Sequence, residues 1–506
     1  MEKIIINTLS NYSLKGILII LNIVAIPIFI SEVGAGFYGV IIIASTFLAN
    51  FFVFDLGLLA GVTKYVASFK ASGDQKNINK VISTTLFLSI CFGVFIFFAI
   101  YIAINNGLLE YLKGKSEFME GSKNIFLLAG TLSIIAWPTK VLDGALQGLQ
   151  KFVPLNFYKA IGKIFAIVLA IIFAINDFSI TLIFLALNID LLILILSLWY
   201  VLQKELPSLL ISFQFVNKKT FFMIFSFSSW IMLSQIAVLI EYQLDTLIIG
   251  LFLPIAAVAA YVVIIYPFRI IHQISGLAAS AIMPAVAEMH ALKGDDSIEP
   301  FVIYGSKWHN GLLASTALAT GICCYPFINI WMDGQFNEYI WVAQIACIFQ
   351  LLWQANAMVG QVYIGAGYSK KLGLIAILVG ILNLIFSIIL VRIIGLEGVV
   401  LGTIFAGIIG EIIFFISCFK DLHISRRHYV FECLFKGQIP AFICLIFFLP
   451  FFQKIQMIES WTILIGVFIT IASTMLISSY IFISTKDDRE YLFNFCKKII
   501  NKTKYQ

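Results

Sequence analysis

Residues 83–104 read STTLFLSICFGVFIFFAIYIAI, 22 residues without a charge. As a helix this run is about 33 Å long, and the hydrocarbon core of a bilayer is about 30 Å thick. A transmembrane strand has about 10 residues in strict alternation, a pattern this unbroken run does not show. In lipid every backbone N–H and C=O needs an internal partner, which leaves the helix. The same reading applies to 13–31, 37–62, 125–149, 156–175, 179–202, 223–252, 257–283, 308–331, 338–363, 372–391, 395–416, 434–452 and 461–484, all 19 to 30 residues long. The sequence predicts an all-α polytopic membrane protein with about 14 transmembrane helices.

Composition agrees. Of 506 residues, 61% are hydrophobic and 12% charged, with mean hydropathy +1.00. A soluble protein is roughly half apolar and a quarter charged. Soluble enzymes, nucleic-acid readers and disordered chains are therefore excluded. The eight Cys are scattered, without the spacing of a zinc site or disulfide framework. The five His make no H-E-x-x-H, and no P-loop, Rossmann glycine pattern or Ser-His-Asp spacing occurs. The expectation is no catalytic residue, no cofactor and no metal. Uphill work would come from an ion gradient, the membrane potential or removal of product.

Loop charge sets the orientation. With the N-terminus inside, 23 of the 33 Lys and Arg fall in inner loops and tails, 5 in outer loops and 5 within or beside spans. This is the positive-inside pattern, and it predicts cytoplasmic termini. The first run follows only Lys3 and Lys15 and has no A-x-A site, so it reads as a retained span and not a removed signal peptide.

Four short matches recur at nearly constant offset. Val66-Ala67 pairs with Val286-Ala287, Gly73-Asp74 with Gly294-Asp295, Tyr38-Gly39-Val40 with Tyr261-Val262-Val263, and Gly148 with Gly365. The offset spans six predicted helices, an even number, so both halves keep one orientation, a parallel repeat. The boundaries follow: a six-helix half over 1–210, a second over 211–420, and two extra helices with a basic tail over 421–506.

These residues carry a resemblance. Asp55-Leu56-Gly57-Leu58, Lys64-Tyr65-Val66-Ala67 and Gly73-Asp74 resemble the N-terminal signature of bacterial polysaccharide transporters. Asp245-Thr246-Leu247-Ile248-Ile249-Gly250, Tyr261 and Pro284 agree, as do Gly380-Ile381-Leu382-Asn383 and Gly395-Leu396-Glu397-Gly398. The resemblance covers roughly 5–420 and includes the Wzx-type flippases of O-antigen lipid-linked oligosaccharides. It implies the multidrug/oligosaccharidyl-lipid/polysaccharide (MOP) exporter superfamily, with its multidrug and toxin extrusion (MATE) antiporters and lipid II flippases. In that fold two six-helix bundles face a central cavity. It further implies a lipid-linked oligosaccharide substrate, contact with membrane lipids, a bacterial inner membrane location, and a polysaccharide polymerase and chain-length protein as partners. A MATE-like cation antiporter stays open as an alternative. A membrane-embedded polymerase does so less readily, because the longest outer loop has about 20 residues (105–124).

An ionisable side chain at mid-helix costs about 2.5–3.5 kcal/mol on insertion scales, so each one has to face protein or water. Arg269 and His272 share a face of the eighth predicted helix and suit a diphosphate or acidic sugar, or else a bridge to an acid. Glu241 and Asp245 share a face of the seventh. They read either as an H⁺ or Na⁺ coupling site or as partners of Arg269 and His272. Lys140 and Asp143 follow Pro138 and either neutralise each other or place Lys140 in the cavity. Asp55 is a further substrate-binding candidate. Lys159 and Lys163 read as snorkelling lysines. Asp190 and Glu411 show no partner in sequence.

Overall fold

The computed structural model describes residues 2–50, 58–107, 109, 116–226, 244–280, 298–365 and 368–484. The described elements are helices without a strand. Those used below are α1 (Glu2–Val33), α2 (Ala35–Asn50), α3 (Leu58–Ala71), α4 (Gln75–Asn105), α5 (Ser116–Gly148), α6 (Phe152–Ile175), α7 (Ile180–Leu187), α8 (Asp190–Glu205), α9 (Leu244–Phe252), α10 (Ala256–Ser280), α11 (Ile298–Trp331), α12 (Ile340–Trp353), α13 (Ala357–Gly365), α14 (Ser369–Ile394), α15 (Leu396–Asp421), α16 (Lys436–Phe448) and α17 (Trp461–Ile483).

Among the described residues, eleven helices are long and apolar enough to cross a membrane, and one bent pair makes a twelfth. Each falls on a predicted run. The other two runs, 37–62 and 223–252, pass through residues outside the described set. The chain is an all-α polytopic membrane protein, as its apolar runs predict.

Packing groups the chain into two units, 1–262 with 376–403, and 263–375 with 404–506. The first unit has a core of Val62 and Val66 from α3, Ile78 and Ile82 from α4, Val141 and Ala145 from α5, and Leu198 and Leu202 from α8. The Gly73-Asp74 motif has a local cause here. Gly73 takes φ +71°, and the Asp74 carboxylate caps α4 by accepting from the Asn77 backbone N–H at 3.1 Å. That satisfies one of the orphan donors of a helix start. Its repeat, Gly294-Asp295, lies outside the described residues.

The second unit is built on α11, whose Leu313, Ala317 and Leu318 pack with Ile271, Cys347, Ala441, Ile471 and Met475 from α10, α12, α16 and α17. One of its spans is broken. Residues 337–353 and 357–364 meet at 47°. The carbonyl freed at Ala355 accepts from Asn310 Nδ2 at 3.0 Å and Tyr429 OH at 2.9 Å. Gln438 Nε2 donates to Asn310 Oδ1 and to the Leu351 carbonyl. Broken backbone at membrane depth persists only where protein or water replaces the missing ladder. Glu411, without a partner in sequence, accepts from Asn356 Nδ2 at 2.8 Å at this break.

Candidate functional site

Asp245 lies on α9 and is 1% exposed. Its Oδ2 accepts from Tyr261 OH at 2.7 Å and Thr403 Oγ1 at 3.1 Å. Thr403 Oγ1 also lies 3.3 Å from Asn383 Oδ1 and 3.1 Å from the Val399 carbonyl. Ser387 Oγ stands 2.8 Å from Asn383 Oδ1, and Thr246 Oγ1 meets Thr46 Oγ1 at 3.4 Å. A hydroxyl has one proton to give. Thr403 faces three acceptor oxygens within 3.3 Å, so two of those contacts have no proton of its own between them. A carboxylate, an amide oxygen, a backbone carbonyl and hydroxyls form the donor set that a hard cation prefers.

The hairpin of α14 and α15 builds this cluster. Gly395 turns it with φ +70°. A Cβ at Gly402 would lie 2.7 Å from Ser387 N and 2.8 Å from Ser387 Oγ, and one at Gly398 would collide with the Leu390 carbonyl. Small residues let the two backbones close, and that closure brings Val399 and Thr403 onto Asn383 and Ser387. Gly402→Val should therefore cost about 1–3 kcal/mol by overpacking and separate the oxygens. Thermal unfolding in detergent and ion-dependent transport check this; an unchanged melting temperature would refute the close-packing argument.

The predicted charges sort differently from their spacing. Asp143 is bound by Lys159 Nζ at 2.7 Å and Gln147 Nε2 at 2.8 Å, not held by Lys140. Lys163 Nζ lies 3.7 Å from Asp190 and donates to the Leu187 carbonyl at 3.1 Å. Lys159 and Lys163 thus reach acids on other helices, partners that the snorkelling reading did not name. Spacing within one helix cannot reveal partners on α5 and α8. Lys140 is half-buried on α5. Glu241 and Asp55 lie outside the described residues.

In the second unit Arg269 is half-buried on α10 and makes no hydrogen bond or ion pair with a described residue. His272, one turn on, joins a polar chain. Gln354 Nε2 lies 2.9 Å from His272 Nδ1, Ser275 Oγ donates to Gln354 Oε1 at 3.1 Å, and His309 Nε2 lies 2.9 Å from Ser275 Oγ. The patch read from the i, i+3 pair is one permanent cation beside an imidazole that hydrogen-bonds with Gln354.

Sequence reasoning missed Asn383, Ser387 and Thr403 because they are uncharged. The signal was available as Asn383 and Ser387, polar residues four apart on α14, facing Thr403 on α15 across a glycine-turned hairpin.

The comparisons agree with this architecture. The chain is 16% identical to the lipid II flippase MurJ in an inward closed conformation, with a TM-score of 0.68 over 94% of this chain and 98% of that one. An inward-facing MATE multidrug transporter of the MOP superfamily matches with a TM-score of 0.64 at 16% identity, over 80% of this chain and 94% of that one. At such identities the likeness is one of fold. An uncharacterized membrane protein, EpsK of Bacillus subtilis (strain 168), is 24% identical over 309 residues, 59% of this chain; the chain spans 60% of that relative's length. The profile of the family described as polysaccharide biosynthesis protein matches residues 1–290. That is more than half of the chain, and so this multi-pass membrane protein, with the fold of the MOP transporters, belongs to the polysaccharide biosynthesis protein family.

Proposed function

We propose that the chain flips an undecaprenyl-pyrophosphate-linked oligosaccharide, an O-antigen or other surface polysaccharide repeat unit, from the inner to the outer leaflet of a bacterial plasma membrane, with both termini cytoplasmic. The observation that carries this reading is Arg269, a guanidinium at mid-span without a protein partner among the described residues, in a chain of a polysaccharide family. A guanidinium cannot shed its proton and binds phosphate bidentately. His272 beside it, and separately Lys140 and Asp55 as sequence candidates, are proposed for further headgroup contacts, and Asp143 acts through its pair with Lys159. The halves 1–210 and 211–420, with 421–506 appended, belong to this proposal as repeats of sequence. Asp245, with Glu241 four residues before it in the sequence, would take the coupling H⁺ or Na⁺. A polymerase and a chain-length protein would receive the product.

The test is flipping of a lipid-linked oligosaccharide in proteoliposomes. The expected result is transfer well above protein-free vesicles, without efflux of organic cations. Cation efflux without flipping would replace this reading with the MATE-like one.

A further inference from the structure

The second unit has an open groove of about 770 Å³ where α15 ends and the chain enters its penultimate span. Along the chain its polar lining residues Ser425, Arg426, Arg427 and His428 come first and the aromatic Phe431 and Phe435 follow, with Phe415 also in the lining. Neither arginine pairs with a carboxylate among the described residues. One Arg426 N–H is on the Ile416 carbonyl at 2.6 Å, on a flank where Ile416 is 53% exposed. The nearby acids are already engaged. Glu299 Oε1 accepts from the Ser425 N–H at 3.2 Å, and Glu432 holds Lys436 at 2.5 Å. Lys307 and His428 line the adjoining hollow together with Glu299 and Glu432, so Arg426, Arg427, Lys307 and Lys436 stand against two acids. The groove thus has a surplus of positive charge.

An apolar face follows along the same helix. Phe435, Ile439, Phe442 and Ile446 recur at steps of four, three and four along the helix and are all well exposed, which makes one helical face. A positive stretch that leads into an apolar face has the layout of a lipid, anionic at its head and apolar in its chains. We propose that this groove binds an anionic glycerophospholipid of the surrounding bilayer, with the phosphate on Arg426 and Arg427 and an acyl chain along Phe431, Phe435 and the face below them. Basic pockets between spans are suited to anionic headgroups. The site is separate from Arg269 and does not depend on what the protein transports.

The experiment is native mass spectrometry of the full-length protein in detergent, titrated with phosphatidylglycerol or phosphatidylcholine. The wild type should hold phosphatidylglycerol at least about tenfold more tightly. Arg426→Gln with Arg427→Gln should lose roughly 30-fold of that affinity, from the typical contribution of two basic residues at a membrane surface, and leave phosphatidylcholine binding unchanged. Lys497→Gln with Lys498→Gln in the basic tail should retain it. Should the double arginine variant not purify, Arg427→Gln alone should lose about fivefold. Equal phosphatidylglycerol affinity in variant and wild type would overturn the proposal. So would displacement of the lipid by an equal concentration of inorganic phosphate, which would show a site for the phosphate alone.

Discussion

Asp245→Asn should abolish gradient-driven flipping while leaving the protein folded in the membrane. Asparagine has nearly the same shape, and its amide oxygen can still accept from Tyr261 and Thr403. What disappears is the negative charge beside Thr403 Oγ1, the hydroxyl that also meets Asn383 Oδ1 and the Val399 carbonyl. A carboxylate that holds a cation away from water contributes several kcal/mol, so ion affinity should fall at least about 100-fold. The measurement is flipping in proteoliposomes under an imposed pH or Na⁺ gradient. Coupling requires that the ion bind one transporter state more tightly than the other, so the wild type should show gradient dependence and Asp245→Asn should not. If Asp245 only ties α9 to the α14–α15 hairpin, the wild type flips independently of any gradient and the substitution lowers folded yield instead. Gradient-independent flipping by the wild type would remove the coupling proposal whatever the variants do.

The fold was legible because lipid leaves the backbone few choices. An apolar run such as 83–104 has one spanning conformation, and loop charge sorts the runs into an order. The oxygen cluster was half legible. Asp245 announced itself as a carboxylate in a span, but Asn383, Ser387 and Thr403 carry no charge and cost little to bury when bonded. Their role arises from α14 lying against α15, which Gly398 and Gly402 permit. The partner of Asp143 was illegible for a related reason. Lys140 and Asp143 are neighbours along α5, yet Lys159, sixteen residues later, reaches Asp143 from α6. Local spacing ranks partners on one helix only, and in a bundle the decisive neighbour comes from another. The break at 354–356 was illegible because no glycine or proline marks it; it is sustained by Asn310, Tyr429 and Gln438 from distant segments.

Arg269→Ala should stop oligosaccharide flipping and, in the same protein, leave thermal stability unchanged or raise it. The two halves of this prediction come from one observation. A guanidinium on α10 with no hydrogen bond or ion pair to a described residue has, among those residues, no partner to offset its desolvation, and its removal should relieve part of the roughly 2.5–3.5 kcal/mol that a central arginine costs on insertion. Residues kept for function at the expense of stability behave this way. The lost contact is large: charge-assisted hydrogen bonds contribute about 1.5–3 kcal/mol each, so losing a bidentate pair to a diphosphate should cut transport at least about 100-fold. Arg269→Lys keeps the charge but not the planar fork, so it should recover only about a tenth of the wild-type rate. Initial flipping rates, normalised to folded protein and set beside melting temperatures in detergent, separate the alternatives. A structural arginine would show the reverse pattern, with a lowered melting temperature and a rate per folded molecule close to wild type. Normal flipping by Arg269→Ala at normal expression would remove Arg269 from the substrate site, and with it the strongest reason in this chain for an anionic substrate.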